Sequence, residues 1–254
     1  MMKRSGTLAL LIAVTMMCNA QDSTRTPTRW GFLIEPYLMG PNMKGTVGLG
    51  TAPDGEVNAS ISDIFNHLKS GFMIYAEAQN GTWAISSDFL YMKLKQDLEP
   101  TRFISSGSVT VSETSWELAG MRKLLPWLEG GFGGRILSIS VDMEAIRTQL
   151  SGGQIGLSEG MTQTWFDPLL ILRMKLPDSG DWLLQVRGDV GGFGIGSELT
   201  WQLQAYGGYR FSELFHVTAG YRALGIDYQT GEGKDRFLYD VTTFGPVVKL
   251  GFNL

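Results

Sequence analysis

Two histidines, His67 and His216, are the residues in this chain best suited to proton transfer near neutral pH. Asp63 precedes His67 by four residues, which puts carboxylate and imidazole on one face of a helix, the arrangement of a general base with an orienting acid. The same spacing is that of an ordinary surface pair. No serine stands in a strand-turn-helix nucleophile context to supply acyl-transfer chemistry. His216 stands at the start of its strand, at the end opposite His67. The stretch Gly191 to Ser197 superficially resembles a phosphate loop, but it lacks the required lysine and a strand pattern follows it, so a tight hairpin is expected instead. Asp54 and Glu56 offer carboxylates for a divalent cation without the spacing of a calcium loop. The expectation is a non-enzymatic protein with no cofactor and no metal.

More informative is charge that recurs on one parity of extended segments, because alternate residues of a strand point to opposite faces. From Trp165 to Leu176 one parity reads Phe166, Pro168, Leu170, Leu172, Met174, Leu176, while the other contains Asp167, Arg173 and Lys175. From Trp182 to Val190, Leu184 and Val186 alternate with Gln185, Arg187 and Asp189. The first face suits hydrocarbon and the second does not, which is the pattern of a barrel wall in a membrane. The same parity rule places Glu35, Glu77, Asp88, Glu113, Glu117, Asp167 and Asp189 inside, with Arg135, Arg173, Arg187, Arg210, Arg222 and Lys249. Side chains can fill the lumen of a barrel of about ten strands. These charges are therefore expected to pair across it. A narrow polar conduit or a binding cavity is the functional alternative.

The elements that must hold this lumen are strands. Ten are expected, near 30–40, 69–79, 82–95, 108–122, 126–143, 161–176, 181–193, 198–211, 214–228 and 241–253, although eight or twelve also fit the pattern. Short connections alternate with longer ones. Trp30, Trp83, Trp127, Trp182 and Phe215 follow turn clusters at the start of every second run, as a girdle at the lipid-water interface requires. The fold class is thus all-β: a transmembrane antiparallel up-and-down β-barrel with short periplasmic turns and longer external loops. Two places strain the pattern. Trp127 shares the parity of Glu129 and Arg135, so either a bulge intervenes or this ring faces the lumen. The external loop 41–68 contains Ile61 to Leu68, which reads as a short helix capped by Ser62 or Asp63 and folding over or into the barrel mouth.

Lys3 and Arg4, an apolar run from Leu8 to Met17 and small residues at Cys18-Asn19-Ala20 mark residues 1–20 as a secretory signal peptide. Residues 21–254 then form a single outer-membrane β-barrel domain without cysteine. The chain has 21 Lys and Arg against 25 Asp and Glu; without Lys3 and Arg4 the balance is 19 to 25, a formal charge of −6. That excludes a basic footprint for nucleic acid. The 33 glycines are about twice the usual share, as bending strands and tight hairpins demand.

Trp165-Phe166-Asp167-Pro168, the run Arg187 to Ser197, Gly220-Tyr221-Arg222-Ala223-Leu224, the closing Phe244 to Phe252 and the segment 57–78 together resemble the outer-membrane protein β-barrel domain family of Gram-negative bacteria. The resemblance covers nearly all of the chain beyond residue 20. It implies location in the outer membrane and fold, with no shared activity to transfer. Leu254 departs from the usual terminal aromatic, and Phe252 lies close enough to substitute. Outer-membrane lipid, lipopolysaccharide and the barrel-assembly machinery are the expected partners, with oligomeric state open. The expected role is that of a structural or surface-interaction barrel with a charge-filled lumen. A narrow passive channel is the alternative, and a lipid-modifying or proteolytic enzyme the third.

Overall fold

The computed structural model describes residues 29–98, 104–148, 154–175 and 180–254. The expected signal peptide lies outside the described residues. In chain order the elements are β1 (Gly31–Met39), β2 (Asn42–Leu49), β3 (Gly55–Ala59), helix α1 (Ile61–His67), β4 (Leu68–Gln79), β5 (Trp83–Asp97), β6 (Ile104–Leu125), β7 (Leu128–Thr148), β8 (Gln154–Lys175), β9 (Trp182–Gly192), β10 (Leu199–Arg210), β11 (Phe215–Thr230) and β12 (Phe237–Asn253). Strands β1 and β4 to β12 pair antiparallel with their neighbours, and β1 also pairs β12, so ten strands close into a barrel. Closure leaves no exposed edge within the membrane.

The belt follows the parity read from sequence. Phe32, Ile85, Leu118, Phe132, Leu170, Leu203 and Leu250 are exposed outward, while the alternate positions are buried inward. Leu172 is 58% exposed and its neighbour Ile171 only 2%. At the end carrying the short turns, the periplasmic end of such barrels, Trp182, Tyr209, Phe211, Phe215 and Phe252 form a chain of rings with successive centroids 5.4, 5.1, 5.9 and 5.5 Å apart. Trp30 and Trp83 are exposed at the same end, with the Arg122 guanidinium 5.7 Å from the Trp83 ring centre. Trp127 departs from this row. The β6–β7 ladder shifts register between Lys123 and Leu125, so Trp127 falls in the turn outside both strands and lines the cavity at that mouth.

Two expected loops are in part strand. β6, β7 and β8 run on to 104, 148 and 154, so that 96–97, 104–107, 144–148 and 154–160 belong to strands. On these strands the outward face changes from Trp116, Ile136 and Phe166 to Thr114, Ser138, Ser140, Thr162 and Thr164. Thr164 Oγ1 donates to Ser138 Oγ at 2.9 Å, and the Ser140 and Thr162 hydroxyls lie 2.9 Å apart. That hydroxyl ladder marks where lipid ends and the strands continue into water. The apolar alternation stops there, although the backbone pairing does not.

The 41–68 loop is likewise structured. β2 continues the β1–β12 ladder in the same register, Met39 opposite Val247 and Asn42 opposite Phe244, across a break at Gly40-Pro41. β3 pairs β2, and Arg236 grips Asp54 with both nitrogens at 2.6 and 2.9 Å. Asp54 is therefore committed to an ion pair rather than a metal. The helix forms as expected, but its cap is Ser60: Asp63 N donates to Ser60 Oγ while Ser60 N donates to the Asp63 carboxylate. It packs on the rim against β3 and β5, burying Ile64 and leaving Phe65 exposed, and does not enter the lumen.

Beyond the membrane the barrel thus rises as two walls. β8 pairs β9 only from Leu169 opposite Gly191 to Lys175 opposite Gln185, so its upper half belongs to a wall with β5, β6 and β7. The second wall is β11, β12, β2 and β3. Leu137, Ile139 and Trp165 from the first pack against Leu224, Ile226, Tyr228, Phe237, Tyr239 and Val241 of the second.

Candidate functional site

The lumen is organised in three levels, each set by the register of inward positions. The middle level holds three arginines and three carboxylates. Arg135 Nη2 lies 2.7 Å from Glu117 and 2.9 Å from Asp189, and its Nη1 donates to Thr200 Oγ1 at 3.1 Å. Arg187 shares both carboxylates. Gln202 donates to Asp189 at 2.8 Å. Arg222 donates to Asp88 and to the Tyr37 hydroxyl, both at 3.0 Å, while Tyr37 donates to Asp88 at 2.7 Å. Arg135 has no exposure at all. A guanidinium so placed is tolerable only because two carboxylates and a hydroxyl from other strands meet its terminal nitrogens, its Nε being left without a partner.

The lower level lies toward the periplasm. Arg173 stands directly opposite Arg187 in the β8–β9 ladder, a like-charge pair that would repel. The conflict is resolved by divergence: Arg187 reaches up to Glu117, and Arg173 reaches across the lumen to Glu77, with Nε 2.6 Å from Glu129. Lys175 adds a 3.0 Å contact to Glu77. Lys249 Nζ lies 4.5 Å from the ring centres of Tyr75 and Tyr206 and 5.5 Å from that of Tyr37, and 3.3 Å from Glu35. His216 Nε2 lies 3.0 Å from the other Glu35 oxygen. Its imidazole occupies the space that a Cβ on the facing Gly251 would fill.

The outer level is built mainly of rings and aliphatic side chains. Trp165 stacks on Tyr228 with centroids 4.0 Å apart and planes within 5°. Asp167, expected in the ion-pair network, has no cationic partner among the described residues. It accepts from Trp165 Nε1 at 3.2 Å and from Ser197 N and Oγ at 2.6 and 2.8 Å, so it ties the β9–β10 turn down onto β8. Glu113 is buried at the height of Ile139 and forms no ion pair among the described residues. Arg210 lines the cavity at the periplasmic mouth.

Of the residues picked out by parity, Glu35, Glu77, Asp88, Glu117, Arg135, Arg173, Arg187, Asp189, Arg222 and Lys249 come together in paired groups. Sequence reasoning passed over Tyr37, Tyr75, Tyr206, Glu129 and His216. Each has inward parity; a search for hydroxyls and rings on that face would have found the tyrosines and the histidine, and Glu129 shares the parity of Arg135. The external His67-Asp63 pair does not form a dyad: His67 Nδ1 lies 2.7 Å from the Asp63 backbone oxygen, and the Asp63 carboxylate is engaged in the cap. The Ser60 hydroxyl and amide hold that carboxyl below the ordinary Asp range.

The barrel has known counterparts. The outer-membrane protease OmpT of Escherichia coli superposes on 90% of this chain and 98% of its own with a TM-score of 0.52 at 9% identity. Ail, the attachment invasion locus protein of Yersinia pestis, aligns over 89% of this chain and 98% of its own with a TM-score of 0.36 at 9% identity. The toluene transporter TodX of Pseudomonas putida aligns over 90% and 91% with a TM-score of 0.35 at 10% identity. At such identities the likeness is one of fold, that of Gram-negative outer-membrane β-barrels. No family profile matches the chain, and no curated protein does.

Proposed function

We propose that this chain is a non-enzymatic, non-conducting barrel of the outer membrane, with a structural or surface-interaction role. The observation that carries the reading is closure at two heights by different chemistry. A neutral lattice of Arg135, Arg187 and Arg222 with Glu117, Asp189 and Asp88 fills the membrane level, and the Trp165–Tyr228 cluster fills the level above. A conduit would require continuous water along that path, which the stacked and buried rings interrupt even though Glu113 and Asp167 lie at their level. What the barrel then presents outward is the pair of walls, stiffened by strand pairing and by the Asp54–Arg236 clamp.

Two features argue against catalysis. His67 is held by a backbone carbonyl, and the other histidine faces the periplasmic cavity, away from the outer rim where a surface enzyme of this architecture would meet substrate. The test is solute flux. Proteoliposomes containing the refolded chain are expected to retain small sugars and ions as empty liposomes do, and rapid swelling in an arabinose gradient would favour the channel reading instead.

A further inference from the structure

The outward residues of β5 run Ile85, Ser87, Phe89, Tyr91, Lys93 and Lys95 from the periplasmic side to the exterior. The hydrocarbon part of that face ends in rings. Phe89 packs with Phe72 of β4, centroids 6.2 Å apart, and Tyr91 stands opposite both Phe72 and Thr114, the β6 residue at which the outward hydroxyls begin. The next two outward positions are ammoniums. Lys69 adds a third, because the ladder shifts register between Leu68 and Ser70 and leaves it as the extra, exposed residue of a bulge beside Lys93.

Around these lysines the surface offers hydroxyls: Lys93 lies between Ser70 and Ser112 in the two ladders, and Lys95 lies opposite Thr110. None of the three lysines has a carboxylate partner among the described residues. Asp97 lies beyond Lys95 toward the exterior, and Asp142, two strands away, accepts from the Ser140 hydroxyl at 3.5 Å. The far arc of the barrel carries the opposite sign. Asp227 of β11 stands directly opposite Asp240 of β12, and Glu198 N donates to Asp227 O, so three exposed carboxylates gather just beyond Trp201 and Leu199, the last apolar outward residues of β10. An anionic headgroup is therefore drawn to one arc and repelled from the other.

We propose that the outward face of β4 and β5 docks a lipid with a phosphorylated sugar headgroup, the chemistry of lipopolysaccharide, from the external leaflet. Its phosphate sits among Lys69, Lys93 and Lys95, its sugar hydroxyls meet Ser70, Ser112 and Thr110, and its acyl chains lie on Phe72, Phe89 and Tyr91. A soluble phosphate or sugar lacks that last contact. Lysine neutralises phosphate without a bridging divalent cation, so the contact survives chelation. This assignment names a partner for the outer surface and stands whether or not the lumen conducts.

The test uses the full chain refolded in a mild detergent, with diphosphoryl lipid A added and the complex read by native mass spectrometry. One lipid A per chain is expected, retained in EDTA and weakened about tenfold or more in Lys93→Gln/Lys95→Gln. Heat-dependent gel mobility shows that this variant folds. Lys69→Glu, at the exposed bulge, brings a repelling charge to the same phosphate and is expected to weaken binding on its own, while Lys44→Gln on β2 binds as wild type. Undiminished binding by both the double variant and Lys69→Glu, equal retention of dephosphorylated lipid A or of phosphatidylglycerol, or loss of the adduct in EDTA overturns the proposal. So does tighter binding of soluble polyglutamate, which would mark the lysines as a contact for an acidic protein.

Discussion

Arg222 on β11 and Asp88 on β5 hold one another across the lumen, Nη1 to Oδ2 3.0 Å, although β12, β1 and β4 separate their strands around the sheet. Such a bond exists only once the barrel has closed. The Tyr37 hydroxyl, on an intervening strand, accepts from the arginine and donates to the carboxylate, which fixes the geometry of both. The same logic joins Arg173 on β8 to Glu77 on β4.

Arg222→Ala leaves Asp88 buried opposite no cation, so it is expected to lose about 3 to 5 kcal/mol of stability. Urea unfolding of the refolded protein in lipid vesicles measures this. Arg222→Leu combined with Asp88→Leu should recover much of the loss, because both desolvated charges go together. A loss below about 1 kcal/mol for Arg222→Ala would mean the pair is not buried as described.

Leu172→Arg places a cation on the hydrocarbon face near mid-membrane, at a cost of roughly 2 to 4 kcal/mol. Leu172→Ala should fold nearly as well as wild type in vesicles. Indifference to Leu172→Arg would reverse the inward and outward assignment. The neighbouring Ile171 is a poorer control than its parity suggests, since it packs with Ala84, Ala119, Met121 and Leu169, where a polar group would be stranded.

Gly251→Ala forces the His216 imidazole off its site and away from Glu35, whereas Gly31→Ala meets nothing within 4 Å. Lower thermal stability is expected for the first and near-wild-type behaviour for the second, read by heat-dependent gel mobility. Equal stability of the two variants would show that the imidazole has no fixed place there.

The Arg236 guanidinium beside Asp54 holds its carboxyl below the ordinary Asp value of 3.8. A folded-state pKa that is depressed contributes stability above the unfolded value, lost as pH falls through the folded one. The β2–β3 hairpin should therefore keep its hydrogen-exchange protection at neutral pH and lose part of it only on acidification below about 3.8. Asp54→Asn should show that partial loss already at neutral pH. Protection in 42–59 that ignores both acid and the substitution would dissociate the clamp from the hairpin.

The ten barrel strands and their facing were legible because lipid on one side and paired charge on the other impose alternation on each strand. Legibility ended where that constraint ended. Above Phe166 and Ile136 both faces of the wall meet water or a packed interior, so Thr162, Thr164, Ser138 and Ser140 look like loop. β3, with Glu56 and Asn58 pointing one way and Gly55, Val57 and Ala59 the other, is too short to announce itself. The lumen charges were legible as a set, but their partners were not. Parity says that Arg187 and Arg173 face inward; only the register that sets them opposite each other explains why one turns up to Glu117 and the other across to Glu77. Asp167 was misassigned for a related reason, since its partner Ser197 lies in a turn whose approach to β8 no alternation predicts.

Single-channel recording in planar bilayers tests the central claim most directly. The refolded wild type is expected to show no steady openings. Arg187→Ala, which breaches only the charge lattice of the middle level, should be less stable yet still closed by the Trp165–Tyr228 cluster above it. Large, steady, ion-selective openings in the wild type would contradict the doubly sealed lumen and make this protein a channel.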